Sequence, residues 1–133
     1  MKSVATVVVL AGLLVAVGCS SNPVEQTGAV ILNVSRLDAP AKVAAAGPLD
    51  VVLIVSVGGC VSFDRIEAER SPSGATLTAW GFDSRKGNLN LPCPQNFENQ
   101  PHFYRFDPPF ASTFDIYVNR GRLSPLTARV LVQ

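Results

Sequence analysis

Leu49–Val57 reads LDVVLIVSV, the most strongly β-favouring run in the chain, and Gly58-Gly59 closes it. Branched side chains at most positions suit a pleated strand and crowd a helix. Near-continuous Val, Ile and Leu also argue a central strand, covered on both faces or on one face and one end. The fold therefore has to be organised around a sheet.

The rest of the chain supplies further strands, each ended by turn residues. Ala29–Leu37 alternates Val30, Leu32 and Val34 with Ile31, Asn33 and Ser35, as one strand with an apolar face. Asp38–Pro48, with two prolines and a glycine, reads as a crossover loop in which Lys42–Ala46 has the makings of a helical turn. After Cys60 the apolar parity switches from Val61 and Phe63 to Ile66 and Ala68, which predicts a bulge near Asp64-Arg65 or two short strands. Ser71-Pro-Ser-Gly74 is a turn, and the ATLTAWGFD run after it reads as the returning arm of a hairpin. Here Leu77 and Ala79 share one face, Thr76, Thr78, Trp80 and Phe82 the other.

Ser84–Pro101 is long, polar and broken by Gly87 and three prolines, so it reads as a loop that is functional or pinned. Strands resume over His102–Phe106, over Thr113–Asn119 with Phe114, Ile116 and Val118 inward, and over Leu126–Val132. The total is about seven short strands and no convincing amphipathic helix. That pattern predicts an all-β domain, a small β-sandwich over residues 29–133.

The first 19 residues, MKSVATVVVLAGLLVAVGC, follow a different logic. Lys2 precedes an uncharged apolar run from Val4 to Val17 that ends in small residues, the layout of a secretory signal. The run is shorter than the roughly 20 residues a bilayer-spanning helix needs. Ala16-Val17-Gly18-Cys19 resembles the lipobox of bacterial lipoproteins. The resemblance implies that the Cys19 thiol receives a diacylglycerol and that residues 1–18 are removed as a signal peptide. Residues 19–28 then form the lipidated start and a polar tether broken by Pro23, at most ~30 Å long. The location implied is the cell envelope, and Ser20 after the cysteine resembles the outer-membrane sorting signal where the host has that membrane.

This resemblance also settles the cysteine count. With Cys19 lipidated, Cys60 and Cys93 remain to pair in an oxidising compartment. Lys2 is the only charge lost with the signal, so ten basic residues face ten acidic ones in the mature chain. A neutral domain has no electrostatic footprint for nucleic acid, and none is expected as a partner.

Pro108–Asn119, PPFASTFDIYVN, is similar to the penultimate-strand corner of bacterial immunoglobulin-like domains, which implies an immunoglobulin-like sandwich. Phe114 stands where that corner usually has Tyr.

Chemistry is not expected of this domain. His102 is the single histidine, no G-x-S-x-G turn accompanies any serine, and no zinc, EF-hand or phosphate-loop motif is present. No catalytic residue, metal or cofactor is therefore assigned. The candidate binding surface is aromatic: Trp80 and Phe82 on one strand face, His102, Tyr104 and Phe106 on another. The Ser84–Pro101 loop is the second candidate. The expected function is a lipid-anchored envelope protein whose domain binds a protein or glycan, or spaces other components. The alternative is an inhibitor that presents the loop to an envelope or cell-wall hydrolase.

Overall fold

The computed structural model describes residues 28–133. Cys19, its lipobox and the tether up to residue 27 lie outside the described residues. Nine strands are formed: β1 (Ala29–Ile31), β2 (Val34–Asp38), β3 (Lys42–Val43), β4 (Leu49–Gly58), β5 (Val61–Ser71), β6 (Gly74–Asp83), β7 (Phe97–Phe106), β8 (Thr113–Arg120) and β9 (Leu123–Val132). They join into one mixed sheet in the order β2-β4-β5-β6-β8-β9-β3, with β7 on β4 and β1 on β6. The sheet curls strongly, into a half-barrel.

The curl has local causes. β4 and β5 meet only at Gly58 and Val61, then diverge, β4 pairing over ten residues with β7 and β5 with β6. Register shifts interrupt β2, β5 and β8, and each such irregularity bends its strand and adds twist. The shift in β5 falls between Phe63 and Arg65, where the parity switch predicted a bulge. On its second edge β6 carries β1 opposite residues 80–82 and β8, in parallel, opposite residues 74–78.

β4 is central, as its composition demands, with β2 on one edge and β7 on the other. Of the two covers expected, the structure shows a single fully buried face. Leu49, Val51, Leu53, Val55 and Val57 are buried, whereas Val52, Ile54 and Ser56 are half-buried. One face makes the core, together with Leu77 and Ala79 of β6, Phe106 of β7 and Phe114, Ile116 and Val118 of β8.

Several expected boundaries are corrected. There are nine described strands where about seven were expected. Ala29–Leu37 is two strands, because the chain leaves β6 after Ile31 and joins β4 at Val34. The alternation of Val30, Leu32 and Val34 survives this change of partner. Asp38–Pro48 contains β3, whose two residues pair in parallel with β9, in place of a helical turn. The loop after β6 ends at residue 96, since β7 starts at Phe97 and runs through Pro101. Proline lacks a donor, so it is tolerated on a strand that pairs along one edge, as β7 does with β4. Pro125 sits likewise inside β9, beyond the short reach of β3.

β5 and β7 leave a seam between their unpaired edges, and side chains bridge it. Phe63 stacks on His102 with ring centroids 3.6 Å apart. Towards the other end, Arg70 donates to the carbonyls of Asp107 and, at 2.7 Å, Pro109, flanking a cis Pro108–Pro109 bond. Its guanidinium also lies 4.9 Å from the Phe110 ring centre and 5.5 Å from that of Phe114.

Candidate functional site

The Gly58-Gly59-Cys60 turn is the hub of one end of the domain. Gly58 takes φ 141° and Gly59 φ 64°, values that favour glycine. A Cβ on Gly58 would drive into the Asn96 carbonyl and lie 2.7 Å from Cα of Phe97. Glycine is therefore needed so that the return of the 84–96 loop can lie directly against the hairpin.

Three links fasten the loop there. Cys60 and Cys93 form a disulfide with Cα atoms 5.2 Å apart, closing a separation of 33 residues. The Gly59 amide donates to the Asn96 carbonyl at 2.8 Å, and the Ser84 amide to the Cys60 carbonyl at 3.0 Å. Asp83, buried at the end of β6, accepts from the Arg85 guanidinium at 2.7 and 3.0 Å and from the Arg85 backbone amide at 3.0 Å. These bonds, the side-chain ones first, hold the Asp83 carboxyl below the usual carboxylate range.

A loop pinned at its base nevertheless presents its tip. Leu89 is 74% exposed, Leu91 is also exposed, and Phe97, at the start of β7, is 81% exposed. Beside Phe97 an apolar groove of about 360 Å³ runs over Val30, Ile31, Val57 and Val61.

The five aromatic residues expected to form a binding surface do not form one. Phe106 is 2% exposed and belongs to the core, edge-on to Tyr104 and Phe114. His102 and Tyr104 are half-buried on the same inner side of β7. The His102 side chain stacks on the Phe63 ring and meets Gln100 Oε1 at 3.3 Å, and its partial burial holds its pKa below the usual histidine value. Trp80 and Phe82 lie on the other side, along the outward face of β6. There the Trp80 indole N–H donates to Glu67 at 2.8 Å and Arg65 covers the ring at 5.7 Å. Glu67 also pairs with Arg65, and this bond, ahead of the one from Trp80, lowers its pKa. Trp80 is thus part of a salt-bridged outer face, and two strand faces that looked alike in sequence point to opposite sides.

The outward-facing residue of β7 that sequence patterning missed is Phe103, 77% exposed. With Asp50, Val52, Tyr104 and Arg105 it lines an open groove of about 470 Å³. Arg105 pairs with Asp50 across the strands at 2.6 Å and lowers the Asp50 pKa. A strand with its odd residues outward was legible only once Pro101 was admitted into it.

Among the described residues, no group of three or more His, Cys, Asp or Glu side chains is placed to hold a metal ion. Comparison with family models, curated proteins and solved structures returns no match to this chain.

Proposed function

We propose that this is a lipid-anchored cell-envelope protein whose β-domain binds or spaces other envelope components and carries out no chemistry of its own. The observation that carries the reading is the Cys60–Cys93 disulfide. Such a bond persists in an oxidising, extracytoplasmic compartment, and it leaves Cys19 as the one unpaired cysteine, at the position the lipobox resemblance assigns to the lipid. An immunoglobulin-like character of the fold belongs to the same proposal. Its supports are the β5–β6 and β8–β9 hairpins and the inward Phe114, Ile116 and Val118 of the corner segment.

The surface best suited to a protein or glycan ligand is the outer face of β4 and β7. Phe103 stands there beside Val52, framed by the Asp50–Arg105 pair. An exposed aromatic beside fixed charges offers stacking area with polar orientation. The second reading, a hydrolase inhibitor, is favoured by the exposed Leu89 and Leu91 on a disulfide-held loop.

Two measurements test the proposal. Wild-type protein expressed with its leader should enter the detergent phase, and Cys19→Ala should leave it; a Cys19→Ala protein that still enters defeats the anchor. Pull-down from solubilised envelope should then return a partner whose binding is lost in Phe103→Ser. A stoichiometric hydrolase lost instead in Leu89→Ser/Leu91→Ser establishes inhibition in its place.

A further inference from the structure

The chain enters the domain at the loop end. The Gly28 carbonyl accepts from the Asp83 amide at 2.7 Å. The registers place Asp83 opposite Val61, Val61 opposite Gly58, and Gly58 opposite Phe97. One level of the molecule therefore holds the first described residue, the Gly58–Cys60 turn and both feet of the 84–96 loop. The Ser71–Gly74 turn lies at the opposite end of β5 and β6, roughly 30 Å away for strands of ten or eleven residues.

The loop end is also where apolar side chains concentrate. Of the nine exposed large hydrophobics among the described residues, Leu89, Leu91 and Phe97 are at this level or beyond it and Phe82 is one residue below. Residues 84–97 contain no Asp or Glu, and their two charges are Arg85, held by Asp83, and Lys86. An apolar tip with one unpaired cation, Lys86, and with Glu98 beside Phe97 matches surfaces that settle at the headgroup–acyl boundary chiefly through apolar area, where Lys keeps its head in the polar layer.

We infer that this end of the domain docks on the lipid bilayer, with Leu89, Leu91 and Phe97 entering the interfacial layer. The inference rests on the proposed anchor at Cys19. From there to Gly28 the chain reaches at most ~30 Å extended and averages about 17 Å as a coil. The coil span is shorter than the distance between the two ends, so the tether keeps the loop end nearer the membrane surface than the Ser71–Gly74 end. Because disulfide and backbone bonds already order the base of the loop, docking gives up little conformational entropy. The loop is then turned away from soluble hydrolases, while the β4–β7 outer face stays open to partners.

With Cys60 and Cys93 paired, Cys19 is the one free thiol, so the chain from Cys19 to Gln133 can be coupled to a maleimide lipid without relying on cellular processing. In nanodiscs of phosphatidylethanolamine and phosphatidylglycerol, amide exchange over residues 86–97 should slow by roughly tenfold relative to the same chain capped with a small maleimide. The Ser71–Gly74 turn should be unchanged. Leu89→Ser/Leu91→Ser/Phe97→Ser should remove the slowing while core exchange in β4 shows that the variant is folded. Equal exchange in coupled and capped chains, or slowing at Ser71–Gly74 instead, overturns the docking alone. An intact mass showing unlipidated Cys19 in natively processed protein overturns anchor and docking together.

Discussion

Replacing both Cys60 and Cys93 by alanine tests how much of this fold depends on one covalent closure. The bond spans 33 residues, which on the chain-entropy account removes about 4 kcal/mol of freedom from the unfolded state. The folded state should change little, because the Gly59–Asn96 and Ser84–Cys60 backbone bonds close the same loop at its base. The cost therefore falls on the unfolded side. For a domain of about a hundred residues, a loss of that size lowers Tm by ~15 °C or more. Guanidinium unfolding followed by Trp80 fluorescence should show two changes: a midpoint moved to lower denaturant, and a steeper dependence, since an uncrosslinked chain exposes more surface. A double variant that loses less than about 1 kcal/mol at unchanged slope would refute the reasoning. It would mean that the unfolded chain already keeps these segments together without the bond.

Two further outcomes follow from the seam between β5 and β7. Arg70→Ala should cost about 1–2 kcal/mol, since it frees two carbonyls and uncovers three aromatic rings. Arg70→Lys should recover only part of that, because a point charge cannot span both carbonyls; an unchanged midpoint in Arg70→Ala would refute the clamp. On acidification, stability should fall in two stages. The first begins as pH drops through about 6.5, where the unfolded state gains a proton that the half-buried His102 ring resists. The second lies below the ordinary carboxylate range, as Asp50, Glu67, Asp83 and Asp115 lose the pairings that lower their pKa values. Unfolding midpoints measured against pH in wild type and His102→Gln check this; a first stage that survives in His102→Gln would assign it elsewhere.

Much of the domain was legible residue by residue. The parity switch after Phe63 located the β5 bulge, and Ser71-Pro-Ser-Gly74 located the hairpin between β5 and β6. Alternation divided β6 into its two faces and named the inward face of β8, because side-chain period is a property of the strand alone. Strand ends were less legible. Pro101 and Pro125 read as stops, yet both lie inside strands, since each faces an edge with no partner to disappoint. The missed part of the candidate site has the same origin. With β7 cut at His102, Phe97 fell into the loop and the outward set containing Phe103 had no visible period.

Composition and period determined that the chain is all-β, where several of its turns fall, and which side chains share a strand face. Those features are set within a few residues of one another and need no knowledge of distant neighbours. Which strand lies beside which was decided only in three dimensions. β1 and β2 belong to one alternating run but pair with different strands, and the faces of β6 and β7 look alike but lie on opposite sides of the sheet. Inside and outside are assigned by the curl of the whole sheet, which arises from bulges and shared edges acting together. The aromatic rows of Trp80 and Tyr104 could therefore be read as rows from the sequence, while the fate of each row depended on the side of the half-barrel to which it was carried.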